Sequence, residues 1–254
     1  MDKEPESLQV YEQRLLSVIS LGYLERAVDL WQMLLWEIPT EAVTALSQGS
    51  RVAPMESHFS ASICILALTG LDGSLVRCAH IRGPSHSKDK QRAWANWVCE
   101  LDSGMPQGLI KALGELAVLR DALVHNHLWE VGFQLSEGRE DSMLQPHLTP
   151  GFGDKKHPAQ TDRASNHTLG PLRLELIPTQ LTRQDALIVL GTIWAVLSRL
   201  ESVLDCGHVA VTNFHVNVRP SRTAARESVP FGEWLRGSIS SHGTKARLVL
   251  EGLN

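Results

Sequence analysis

Residues 106–135 read PQGLIKALGELAVLRDALVHNHLWEVGFQL, and the spacing of their apolar positions changes partway along. Leu109, Leu113, Leu116 and Leu123 stand at i, i+4, i+7 and i+14, which is one face of a helix opening at Pro106. From Trp129 the period becomes two. Trp129, Val131, Phe133 and Leu135 alternate with Glu130, Gly132 and Gln134, which predicts a strand. Arg120 falls in line with the helix leucines, where a charge is costly unless it is paired or faces a cleft or an interface.

Upstream, apolar positions between Leu8 and Leu35 recur close to every 3.6 residues and predict one or two helices around Gly22, ended by Pro39. Pro54 opens a second helix through Ile63, Leu66 and Ala67 towards Val76 and Ile81, with Gly70–Gly73 as a candidate break and Gly83-Pro84 as the stop. A third piece runs from Lys88 through Trp94, Trp97 and Val98 to Gly104. Downstream, residues 136–170 are rich in Gly, Pro, Ser, Asp and His and show no period, so they read as a long loop. Leu172, Leu174 and Leu176 alternate with Arg173 and Glu175, a short second strand able to pair with the first. Thr182-Arg183-Gln184-Asp185 resembles a capping box, and Ala186, Leu190, Ile193, Leu197, Leu200 and Leu204 continue it as one helical stripe up to Gly207. Val209–Val218 reads as a third strand, and residues 219–254 as a basic, loosely ordered tail with an apolar anchor at Phe231 and Trp234. The fold expected is mainly α: a helical bundle over residues 1–206 that includes loop 136–170, with a small β appendage after the helix of Arg120. Residues 207–254 add a strand and the basic tail.

Hydrophobic residues at 43% and charged residues at 20% place the chain among globular proteins rather than disordered or membrane ones. The net charge of −4 gives no general attraction to nucleic acid. The charge is uneven, however. Residues 77–92 carry Arg77, Arg82, Lys88, Lys90 and Arg92 against Asp89, and the tail from Arg219 to Arg247 is also basic. Such patches can meet phosphates, although a solvated face is the commoner reason for one. The start, Met1-Asp2-Lys3-Glu4-Pro5, is acidic and polar where a signal peptide needs a basic start and an apolar run. The apolar stretch Ala186–Leu197 is short of the ~20 residues that span a bilayer, and reads as a buried helix. Cys64, Cys78, Cys99 and Cys206 are scattered without a Cys-x-x-Cys pair, as thiols kept reduced in a cytosol are. A cytoplasmic protein with no membrane contact is expected.

The chemistry concentrates at Leu119-Arg120-Asp121-Ala122-Leu123-Val124-His125-Asn126-His127. Arg51 to His58 and Arg236 to His242 have related spacings, but one spans Pro54 and the other lies in a Gly/Ser-rich stretch. Only Arg120 to His125 combines helical context, a polar residue next in line and four intervening positions. This stretch resembles the signature of the HEPN superfamily, in which an Arg, usually followed by a polar residue, is separated from a His by four to six intervening positions. The apolar helix, short β element and long closing helix around it resemble a group of bacterial members, loosely over residues 8–206 and best over 106–206. The resemblance implies homodimers whose Arg-His pairs meet across the interface through the motif helix. It further implies cleavage of RNA without a metal, in a toxin or antiphage-defence effector with a regulatory protein partner. Toxins of this superfamily that pair with a nucleotidyltransferase antitoxin carry a Tyr two residues after the His as the modification site. This chain has His127 there, so control by adenylylation at that residue is not expected.

The residue types support that chemistry on their own terms. Cleavage through the 2′-hydroxyl needs a group that moves a proton near neutral pH, which suits His125, and a cation shaped for two phosphate oxygens, which suits Arg120. Five positions apart on a helix the two differ by about 140° in direction, so a second copy would complete the site. Asp121, about 40° from His125, is placed to hold the imidazole in one tautomer, with Asn126 and His127 as supporting polar residues. Two other readings stay open: an inactive HEPN module that binds protein or RNA, and a plain helical scaffold in which Arg120 and Asp121 are a structural pair. No cofactor is expected, since Cys78, His80 and His86 are split by Pro84 and lack a fourth metal ligand. No Gly-rich phosphate loop, Gly-x-Ser-x-Gly elbow or His-Glu-x-x-His helix occurs either.

Overall fold

The structure is a computed structural model describing the backbone of residues 6–38, 54–82, 94–124, 129–130, 133–134, 142–143, 147–148, 161–162, 165–204 and 211–253. Side chains are described from residue 20 onward, apart from those of residues 54 and 80–82 and of the strands between 129 and 148. The expected helices are all present: α1 (Glu6–Glu37), α2 (Pro54–Arg82), α3 (Trp94–Leu101), α4 (Gln107–Val124) and α5 (Arg183–Leu204). The protein is mainly α, with short β pairs after α4.

Neither glycine site divides its helix. α1 passes through Gly22, and α2 passes through Gly70 and Gly73, as single helices. A Cβ on Gly70 would lie 3.0 Å from the Ser20 carbonyl oxygen, so this glycine permits a close approach of α1 and α2 and does not break α2. α5 lies at the centre of the bundle, packed against α2, α3 and α4. Residues Asp185 to Ile193 are buried all round it, so its stripe widens into a full sleeve. By length and composition, Met55–Ala79 of α2 and the whole of α5 are apolar enough to cross a membrane; here 50% and 56% of their most apolar windows are buried inside the bundle.

The β regions differ from expectation in their partners. The strand expected from Trp129 forms two short steps, β1 (Trp129–Glu130) and β2 (Phe133–Gln134). They pair antiparallel with β4 (His147–Leu148) and β3 (Ser142–Met143), which lie inside the segment read as a loop. The register moves by one residue between the two steps, from Trp129↔Leu148 to Phe133↔Met143. The same segment contains β5 (Thr161–Asp162) and begins β6 (His167–Thr168), which pair with each other. Leu172, Leu174 and Leu176 are fully buried, as their alternation predicts, yet they form no ladder with β1 or β2.

The C-terminal region corrects the reading of a loose tail. A hairpin of β7 (His215–Val218) and β8 (Glu227–Pro230) leads into α6 (Phe231–His242) and α7 (Thr244–Glu251), and both helices pack on α5. Phe231 is the expected anchor, fully buried and stacked on Trp234 at 5.6 Å. Beyond α7, the Leu253 carbonyl reaches the first turn of α4, where a Cβ on Gly108 would lie 2.5 Å from its oxygen.

A buried ion pair joins three helix ends. Arg183 Nε lies 3.1 Å from Glu56 Oε1, with each side chain 4% exposed. The same carboxylate oxygen accepts the Arg183 backbone N–H, while Arg183 Nη2 donates to the carbonyl of Ile38 just past α1. Leaving one buried charge without its partner is costly, so Glu56→Ala is expected to lower the unfolding free energy by about 3–5 kcal/mol in a urea titration. Replacing both, Glu56→Leu with Arg183→Met, should cost less. A loss below about 1 kcal/mol for Glu56→Ala, typical of an exposed pair, would mean that other contacts hold these ends together.

Candidate active site around the motif helix

The motif helix α4 begins at a turn fixed from α5. Asp102 accepts the Gly104 N–H at 2.9 Å and pairs with Arg199 Nε at 2.7 Å. The Arg199 hydrogen bond holds the Asp102 carboxyl below the usual carboxylate range. From this anchored start α4 runs through the core, with Leu109, Leu113 and Leu116 buried as the stripe predicts and Leu123 partly so.

Arg120 sits where this helix emerges from the core. Its neighbours Leu119 and Ala122 are buried, whereas its own side chain is 38% exposed and Val124 is 49% exposed. Arg120 Nη1 lies 3.4 Å from Asp121 Oδ1, and this is its one partner among the described residues. The rest of the guanidinium fork is therefore open to an oxyanion. α4 ends at Val124, and His125, Asn126 and His127 lie outside the described residues. The structure thus places Arg120 and Asp121 together at an uncovered helix end. Asp121 contacts Arg120 at 3.4 Å, and its expected pairing with His125 falls on a residue outside the described ones.

One and a half turns earlier on α4, Glu115 carries out a task that sequence reading did not find. Its side chain is buried and accepts the backbone N–H groups of Leu172 and Arg173, each at 2.9 Å, and the Thr168 hydroxyl. Thr168 in turn accepts the N–H of Leu174 at 2.8 Å. These side-chain acceptors complete a short backbone pairing with the stretch around β6, in which the Leu176 N–H donates to the Asn166 carbonyl and the Thr168 N–H to the Leu174 carbonyl, each at 2.9 Å. Arg173, at φ 47°, turns the chain so that two successive N–H groups point at one carboxylate. The sequence signal for Glu115 is an acid on the row of Ala112, Leu119 and Ala122, all buried.

Glu175 repeats the device locally. It accepts the N–H groups of Leu176 and Ile177 at 2.9 and 2.8 Å, and its other oxygen lies 3.8 Å from His167 Nε2. His167 Nδ1–H donates to the Ser165 carbonyl. Among the described residues no group of three or more His, Cys, Asp or Glu could hold a metal ion.

No protein-family model matches the chain, and no curated protein or solved structure matches it either.

Burial raises the pKa of both Glu115 and Glu175, against the opposing pull of their hydrogen bonds. A carboxyl that binds its proton more tightly when folded adds stability that is complete below its unfolded pKa and is lost as pH rises through the folded value. The unfolding free energy should therefore gain from these two groups as pH is lowered from 7 towards the ordinary carboxylate range. Glu115→Gln should flatten that slope in urea titrations at stepped pH. An unchanged slope would show that Glu115 is not a source of it.

Proposed function

We propose that this chain is a metal-independent RNA endonuclease of the HEPN type, acting as a toxin or defence effector. The observation that carries the reading is the Arg120 guanidinium: half exposed at the open end of a helix that is otherwise core, held by one 3.4 Å contact to Asp121, and followed at once by the His125 position. A purely structural arginine on that helix would be buried with its charge against a carboxylate, as Arg183 is with Glu56, each side chain 4% exposed.

In this mechanism His125 takes the proton of a ribose 2′-hydroxyl as its oxygen attacks the adjacent phosphorus. Arg120 holds two non-bridging oxygens as negative charge grows on the phosphorane. The departing 5′-oxygen is protonated by His125 of a second copy, which leaves a 2′,3′-cyclic phosphate and a 5′-hydroxyl. Since α4 is covered by α2, α3 and α5 along its length, the end bearing Arg120 and Val124 is the part able to meet a twofold mate.

Three outcomes follow. Light scattering should report a dimer or larger; a monomer that is nonetheless active would reject the composite site. RNA should be cut in excess chelator into cyclic-phosphate products while an all-DNA strand survives. His125→Ala should lower the rate by about 10² to 10⁴-fold, and Arg120→Lys should also fail because it keeps the charge but loses the two-oxygen contact. Activity retained by both Arg120→Ala and His125→Ala would overturn the assignment. Activity lost only in step with a fallen melting temperature would favour the inactive, structural reading of the pair.

A further inference from the structure

Away from α4, a cleft of about 190 Å³ lies between α1 and the β7–β8 hairpin. Along α1, Asp29, Gln32, Met33 and Trp36 stand at i, i+3, i+4 and i+7, so one helix face supplies one wall. Arg219 and Arg226, at the two roots of the hairpin loop, supply the other.

The hairpin is tied to α1 at three levels, which makes the cleft a built feature. Asn217 Nδ2 donates to Glu25 Oε1 at 2.8 Å. About two turns further on, Gln32 accepts the Arg219 backbone N–H and donates to the Asn217 carbonyl at 3.2 Å. At the far end Arg222 pairs with Glu37. Between the last two ties the helix is left uncovered, and there Met33 is 42% exposed and Trp36 half-buried. Trp36 has no ring contact and no hydrogen-bond partner among the described residues.

The charges around this gap are unbalanced. Asp29 is already neutralised by Arg26 at 2.8 Å, and Arg222 by Glu37. Arg219 and Arg226 have no carboxylate partner among the described residues. The ladder ends at Val218↔Glu227, so the next pair in register is Arg219 against Arg226. Two like charges set opposite each other are destabilising on their own, and an anion between them removes that cost. The cleft is also smaller than the ~300 Å³ at which sites for whole small molecules begin, so it suits one unit of a longer chain better than a complete cofactor. An aromatic platform beside a pair of arginines is the arrangement that takes a base and its phosphate from a single strand.

We infer that this cleft binds single-stranded RNA, with a base on Trp36 and a backbone phosphate between Arg219 and Arg226. The choice of RNA as the polymer rests on the nuclease reading above; the anionic, ring-bearing chemistry does not. The cleft would then grip substrate at a distance in sequence from the Arg120 motif.

The test is fluorescence anisotropy with a 5′-labelled single-stranded RNA of about 15 nucleotides, near the upper site size of such grooves. The protein is the full chain carrying His125→Ala, so that the RNA stays intact. Trp36→Ala should weaken binding by about 10-fold and Trp36→Phe much less, since a stacked base is worth roughly 5- to 150-fold. Arg219→Ala with Arg226→Ala should weaken binding and lower the slope of log affinity against log salt by about 0.7 per phosphate charge released. Melting temperatures should stay close to the parent, and Trp36→Phe keeps the test valid if Trp36→Ala unfolds. RNA affinity unchanged in the double arginine variant overturns the inference, as does capture of a phosphorylated peptide in place of RNA. Binding that depends on the cleft, in a chain that cuts no RNA, upholds the inference and removes the nuclease reading; cleavage with cleft-independent binding does the reverse.

Discussion

Glu56 and Arg183 meet at 3.1 Å in a place almost closed to water, and much of the bundle's geometry passes through that contact. It binds the first turn of α2 to the first residue of α5, and through the Ile38 carbonyl it also holds the end of α1. Three helices that share only general apolarity can slide along one another with little change in buried area. A hydrogen-bonded charge pair does not allow this, because each displacement leaves an ion unsolvated. Beside it, Asp185 closes the capping box with Thr182 and also pairs with Lys245 of α7, so the C-terminal helices inherit the same frame.

The carboxylates on α4 and after β6 answer a different need. The segment from Leu172 to Ile177 puts apolar side chains into the core while its backbone pairs only briefly with residues 166–168, which leaves the N–H groups of Leu172, Arg173 and Ile177 to be met by side chains. Glu115 and Glu175 supply the missing acceptors. One consequence is a division along α4. Its middle is fastened from both sides, by Glu115 and by the core leucines, while its end carries the half-buried Arg120 and the exposed Val124. For the chemistry proposed here that is a useful arrangement, since the cation stands on a rigid element and still faces outward.

How much of this was legible in the sequence depended on whether the cause was local. The stripe of α5, the Pro106 start of α4 and the Thr182–Asp185 capping box all follow from residues within a few positions of one another, and all are found where the periodicity places them. α6 was hidden because Gly232, Gly237 and a run of serines lower its helix propensity; it forms because Phe231, Leu235 and Ser238 pack inward. The partners of Leu172–Leu176 were hidden for a related reason. A strand-like alternation says which side chains are buried, but the acceptor that satisfies the backbone lies on a helix more than fifty residues earlier. At the candidate site the Arg120-Asp121 neighbourhood could be read from the motif alone, whereas Trp36, Arg219 and Arg226 share a cleft only through the hairpin's ties to α1.

The meeting of Leu253 with Gly108 bears on how such a chain is assembled. These residues are separated by more than half of the sequence, and the contact lets the chain's end lie flat against the opening turn of α4. Closing so wide a loop spends conformational entropy before any contact returns it, which makes long-range closures late events in folding. In the folded chain the first turn of the motif helix is thus covered by the segment that follows α7, so this contact is complete only where α6 and α7 are docked on α5. Completion of the fold is in this sense registered at the root of the helix whose other end bears Arg120.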